Sequence, residues 1–176
     1  MFDFFKLYRI DRLLFYYIPF FIGTFKNNLT LIEHSIFFCS FFLIFELMII
    51  LNDYTDKKCD KYNNRNRLDI LFRKKEIILY LILFIIYSLS FEFIFFNLTK
   101  VYYFGLIGSI LLSLLYHCKP IRLKRFFPLN NIILGINASF LYLWGSNGNY
   151  ELKYFVIIGI YFSIASIYKD FKDIQG

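Results

Sequence analysis

Six long apolar runs, at roughly 10 to 29, 34 to 51, 76 to 98, 101 to 117, 129 to 146 and 152 to 169, leave this chain few folds to choose from. Each approaches the roughly 20 residues that a helix needs to cross the hydrocarbon of a bilayer, where every backbone N–H and C=O must find a partner within the protein. A closed barrel meets the same demand with alternating strands of about ten residues, and these runs do not alternate. The sequence therefore predicts an all-α fold: a polytopic transmembrane helical bundle of about six spans, in one domain over residues 1–176. The first and fifth runs are the weakest, because Pro19 interrupts one and Asn130, Asn131 and Asn137 load the other.

Composition agrees. Hydrophobic residues make up 59% of the chain and aromatic ones 23%, with a mean hydropathy of +0.54, well beyond the roughly half-apolar usage of soluble domains. AT-rich codon usage raises Phe, Ile, Tyr, Asn and Lys together, so the aromatic count by itself does not argue for a ligand site. The first run follows Lys6, Arg9 and Arg12 and leads into polar residues rather than a small-residue cleavage site, which makes it a span and not a signal peptide. Cys39, Cys59 and Cys118 lack CxxC spacing and offer neither a zinc site nor a disulfide framework.

The net charge of +7 would suggest nucleic acid as partner of a soluble protein. In a membrane chain the positions of the basic residues matter more. Three precede the first run (Lys6, Arg9, Arg12), eight follow the second (Lys57, Lys58, Lys61, Arg65, Arg67, Arg73, Lys74, Lys75), four follow the fourth (Lys119, Arg122, Lys124, Arg125) and two close the sixth (Lys169, Lys172). With six spans all of these share one side, against Lys26, Lys100 and Lys153 on the other. That bias predicts the cytoplasmic face and supports the span count, since losing one span would scramble the sorting. No nucleic-acid partner is needed.

Acid gathers on the basic side. The stretch "NDYTDKKCD" puts Asp53, Asp56 and Asp60 directly after the second run. On a helix this i, i+3, i+7 spacing stacks them along one face, beside Asn52. Like charges so close call for a cation, and oxygen-only donors favour a hard one such as magnesium, which also accepts phosphate oxygens. Ion pairing of these acids with Lys57, Lys58 and Lys61 in solvent is the plainer alternative. The sixth run ends similarly, in "YKDFKDIQG", with Asp170 and Asp173 one turn apart. Glu46, seven residues before Asp53, lies inside the second span on the same face; it either orients a hydroxyl of a bound molecule or is a protonated, hydrogen-bonded acid. Glu92 is expected near the outer end of the third span, within reach of water, and His117 beside the basic loop is read as incidental.

Here the residues carry a resemblance. "NDYTDKKCD" resembles the NDxxDxxxD signature of the UbiA-type intramembrane prenyltransferases. "NRNR" at 64 to 67, "YHCKPIRLKR" at 116 to 125 and "KDFKDIQG" at the end follow in the family's order, so the likeness covers essentially the whole chain. The resemblance implies a UbiA-like nine-helix fold around a central cavity, with acidic motifs after the second and sixth helices. It implies that Mg2+ bridges the two motifs to a polyprenyl diphosphate, whose prenyl group passes to a small acceptor, commonly an aromatic ring. Asn52, Asp53, Asp56 and Asp60 would then hold one ion, and Asp170 and Asp173 the other. Arg67, Lys119, Arg122 and Lys124 would contact the diphosphate, unless they serve only as positive-inside anchors. Tyr116 would face the allylic cation with its ring.

The implied location is a bacterial or archaeal cell membrane, with the active-site loops in the cytoplasm. Two departures qualify the likeness. The 64 to 76 stretch lacks the Pro after its arginine and the later Gly, which predicts a differently shaped loop over the diphosphate. The chain also stops at Gly176, one position before the second motif's final Asp and three helices short of the family's nine. A fragment or truncated reading frame is therefore expected, with a cavity open on one side and activity that depends on completion. A decaprenyl-phosphate phosphoribosyltransferase of the same fold, in which the lipid is acceptor, and a non-catalytic membrane protein are the alternatives. A CDP-alcohol phosphotransferase would require an Asp-Gly-x-x-Ala-Arg lead into the motif, which this sequence lacks.

Overall fold

The computed structural model describes residues 10–27, 29–62, 97–118 and 120–175, with residues 79, 82–83, 85–87, 89–90 and 92–93 of the stretch between. Every element among them is helical. They are α1 (Ile10–Phe25), α2 (Leu31–Tyr62), α3 (Lys100–His117), a 3-10 turn (Leu123–Arg125), α4 (Leu129–Ser146) and α5 (Leu152–Gln175). The isolated residues between 79 and 93 are helical too. Five of the six predicted spans thus have their helix, and the third lies largely outside the described residues.

The chain forms two compact units. The first takes residues 1–15 and 31–97, the second residues 16–30 and 98–176. In the first, α2 is the dominant element. Its apolar segment Leu31–Ile49 is long and apolar enough to span, but the helix has 32 residues. At 1.5 Å per residue it is about 48 Å long, against a hydrocarbon thickness of about 30 Å. The excess carries Asn52 through Asp60. Glu46 is buried at 4% exposure and Glu92 at 0%. The expectation that Glu92 reaches water is therefore wrong: the carboxyl is enclosed in protein, as an ionisable group flanked by apolar helix requires.

The second unit is built around α4. This helix packs against α3 on one side and α5 on the other, and Tyr16 and Ile22 of α1 join the cluster of Ala138, Tyr142, Leu143, Ile158 and Phe162. Trp144 is fully buried and meets the edges of Phe20 and Tyr102, with ring centroids at 4.9 and 6.3 Å. Glycines let the backbones approach. A Cβ at Gly135 would run into the Gly159 carbonyl and Ser163 Oγ of α5, and one at Gly145 into the Phe20 carbonyl of α1. Small residues at a helix crossing are the usual solution inside lipid, where there is no hydrophobic drive between helices and close packing must supply the attraction. Hydroxyl and amide bonds add to it: Ser139 Oγ donates to the Phe155 carbonyl at 2.7 Å, and Asn137 Nδ2 to Ser113 Oγ at 3.2 Å.

The two weak runs become intelligible in this arrangement. Pro19 does not break α1, which continues through it from Ile10 to Phe25; a membrane helix tolerates the lost N–H when neighbouring segments re-satisfy the freed carbonyl. Among the described residues, Leu31–Ile49, Lys100–His117 and Leu152–Phe171 are long and apolar enough to cross a bilayer, and α4 is not among them. Its asparagines lower its hydropathy, yet eleven of its residues are buried. The lipid-compatible surface is on its neighbours instead: Phe104, Ile107 and Leu111 of α3 and Val156, Ile160 and Ile164 of α5 are exposed in i, i+3 or i+4 steps.

Candidate functional site

The acidic positions come first. Helical backbone continues through Asp53, Asp56 and Asp60 to Tyr62, so the three belong to one helix and their spacing assigns them to one face. The side chains of Asp53, Asp56 and Asp60 lie outside the described residues, as does that of Asp173. Asn52, at the base of this stretch, is half-buried. Asp170 is half-buried near the end of α5, where Asn130 Nδ2 of α4 donates to its Oδ2 at 3.2 Å.

The connection between α3 and α4 supplies the basic groups. α3 ends at His117, whose ring meets that of Tyr116 edge-on at 4.9 Å. The chain then folds back: the Arg122 N–H donates to the Cys118 carbonyl at 2.9 Å, and the Phe126 N–H to that of Leu123 at 3.0 Å. Arg122 opens the 3-10 turn in the left-handed region, with φ 48° and ψ 58°. That conformation is uncommon for a residue with a long side chain and concentrates where a loop has a geometric task. Its side chain is turned inward at 7% exposure, unlike a solvated membrane anchor. Lys124 is half-buried and Arg125 exposed. Arg67 and Lys119 lie outside the described residues, together with the whole "NRNR" stretch.

α4 begins within this loop. The Asn130 N–H donates to the Phe126 carbonyl at 2.8 Å, so the residue that engages Asp170 is itself anchored to the turn that Arg122 opens. Asn130 is 8% exposed and Asn131 0%, and Asn131 makes no side-chain hydrogen bond among the described residues. In the sequence these asparagines register only as a burden on the fifth run. The available signal was their position: two adjacent amides in the first turn of an apolar helix, directly after the basic loop.

What the arrangement offers chemically is a set of hard oxygen donors and inward-facing cation at one end of a helical unit. Among the described residues no three acidic, histidine or cysteine side chains gather at one point; of the aspartates expected to hold metal, Asp170 is the one whose side chain is described. Its carboxylate has about four lone-pair sites and Asn130 occupies one, so its chemistry suits a magnesium ion. Cys39 and Cys118 are free thiols, and the side chain of Cys59 lies outside the described residues.

The opposite end of the same unit is knit differently. Asn27 Nδ2 donates to the carbonyls of Gly145 and Ser146 at 3.1 and 2.9 Å, satisfying two carbonyls that the end of α4 leaves without helical partners. Asn147, in the left-handed region, accepts the Thr99 N–H at 2.9 Å. Thr99 in turn caps α3 by accepting the Tyr102 N–H at 3.3 Å. Glu151 pairs with Lys26 and, at 2.7 Å, with Lys153, and both ammonium groups lie over the Tyr154 ring at 4.5 and 5.0 Å. Hydrogen bonds from Lys153 and Lys26 hold the Glu151 carboxyl below its ordinary value.

No curated protein and no solved structure shows a significant match to the chain. A family model does, over nearly the full length. The match covers residues 14–176, from within α1 through the basic loop to the acidic end of α5, and with helices apolar enough to span a membrane it identifies an integral membrane protein that belongs to the UbiA prenyltransferase family.

Proposed function

We propose that this chain transfers a prenyl group from a polyprenyl diphosphate to a small acceptor, commonly aromatic, within the membrane and with Mg2+. The observation that carries the reading is the family match across residues 14–176, which includes both acidic stretches and the basic loop. Asn52, Asp53, Asp56 and Asp60 would hold one Mg2+ ion, and Asp170 and Asp173 the other. When bound, magnesium supplies positive charge against the diphosphate as its bond to the prenyl carbon breaks.

The remaining work falls to the protein. Arg122, turned inward, and Lys124, Lys119 and Arg67 bind the diphosphate oxygens and stabilise the charge that grows on them. Tyr116 offers a ring face to the allylic cation. Apolar helices hold the isoprenoid tail and keep water from that cation. The bond that forms joins the acceptor to the prenyl carbon, the bond that breaks releases diphosphate, and the acceptor gives up a proton. The basic side, with these loops, faces the cytoplasm.

Purified chain in detergent or lipid nanodiscs, titrated with radiolabelled geranylgeranyl diphosphate with and without Mg2+, tests the reading. Magnesium-dependent binding that is lost in D53A and D56A is the expected result. Equal binding by wild type and both variants would sink it, and magnesium-dependent binding of phosphoribosyl diphosphate instead would move the chain to the reaction in which the lipid is acceptor.

A further inference from the structure

Asp170 sits five positions before the last residue of α5, Gln175, where helices fray and a side chain has little to hold it. One group reaches it from another helix: Asn130, forty residues earlier in the chain, through the 3.2 Å bond from Nδ2 to Oδ2. Asn130 is nearly enclosed while Asp170 is half-exposed, so an amide held within the helical packing restrains a carboxylate at its margin. The donor is neutral. A lysine or arginine in its place would bring its own charge and compete with a metal ion, whereas an amide orients the carboxylate and leaves its full charge available. The backbone of Asn130 is bonded to Phe126, at the end of the turn opened by buried Arg122. One residue therefore joins the basic loop to the acidic end of α5.

We infer that Asn130 is a positioning residue, which holds Asp170 in the orientation that receives the metal and keeps it in register with the basic loop. This rests on the reading of Asp170 as a metal-facing carboxylate. Groups that hydrogen-bond to ligating carboxylates typically matter by about 10–100-fold in metal affinity, and an effect of that size is expected here.

The test reads the Mg2+ concentration that half-saturates binding of radiolabelled geranylgeranyl diphosphate, together with the melting temperature in detergent. Asn130→Leu keeps volume and removes the donor; Asn130→Gln keeps the amide. The expected result is a half-saturating Mg2+ raised at least ~10-fold in N130L, largely restored in N130Q. D170A is expected to lose magnesium dependence, and the N130L/D170A double variant to be no worse than D170A alone, because the two residues act as one unit. If N130L titrates like wild type while D170A is impaired, the positioning role is overturned and the transferase reading stands. If D170A itself titrates like wild type, the positioning role and the metal-facing reading of Asp170 both fall, while the transferase reading is decided by D53A and D56A. Should N130L fail to fold, Asn130→Ser, with a side chain too short to make the bond, replaces it under the same outcomes.

Discussion

The two ends of the unit formed by residues 16–30 and 98–176 solve opposite problems with similar residues. At the end holding Lys26, Thr99 and Asn147, polar side chains close on backbone: Asn27 serves two carbonyls of α4 and Asn147 ties α4 to α3. Two lysines share Glu151 and a tyrosine ring. At the basic end, asparagine is used without that closure. Asn130 reaches a carboxylate, Asn131 is buried with no side-chain hydrogen bond among the described residues, and Arg122 is held inward in a left-handed conformation. The same amide is a fastener at one end and an uncommitted donor and acceptor at the other. Local strain and incompletely satisfied groups gather where a protein handles a ligand, so the contrast agrees with the proposal that the basic end is the one that meets substrate.

Three measurements would break or sharpen that contrast. The largest effect is expected from Asn131→Leu, which replaces a buried amide with an apolar side chain of similar size. An unsatisfied buried polar group costs about 1–3 kcal/mol, so thermal or denaturant unfolding should show N131L more stable than wild type, with magnesium-dependent prenyl diphosphate binding weakened. Lower stability would mean that the amide is committed after all and that the ends do not differ. Asn27→Ala should do the reverse. Loss of two side-chain bonds to the end of α4 lowers stability by ~1–2 kcal/mol with binding unchanged; a variant that binds poorly yet melts normally would make the far end part of the site.

The smallest effect concerns pH. Because Glu151 is held below its ordinary value by its lysines, its contribution to stability is complete above the unfolded carboxylate value and is lost as pH falls through the lowered folded one. Wild type should therefore lose stability on acidification through that window more steeply than Glu151→Gln. The pair is exposed and screened, so the difference is small. Identical acid profiles would show that this ion pair holds nothing.

The helical membrane fold was legible because long apolar runs leave a lipid-embedded backbone one economical solution. The resemblance that the motifs carry is matched by the family model over residues 14–176. What was not legible has a common cause. Pro19 weakens the first run without breaking its helix, and Glu92, expected to reach water, does not; both depend on neighbours that a helix read alone does not show. In the folded chain Pro19 lies within an unbroken α1 and Glu92 is enclosed. Asn130 was legible only as a polar defect, since its partner Asp170 is forty residues away and a bond between two helix ends has no local signature. Asp53, Asp56 and Asp60 share a continuous helix as their spacing requires.

The enclosure of α4 also bears on how the protein is made. A helix bearing three asparagines and failing the hydropathy that its neighbours meet gains little by partitioning into lipid from the translocon as a solitary segment. Asn137 and Asn130 find their partners on α3 and α5 and Gly135 its close contact on α5, so insertion should proceed as a helical hairpin, with α4 retained at the channel until a more lipophilic partner accompanies it across. Biogenesis of this chain is then sensitive to the order in which its helices emerge from the ribosome, and the glycine contacts that bring backbones together would be felt during synthesis, before any substrate is met.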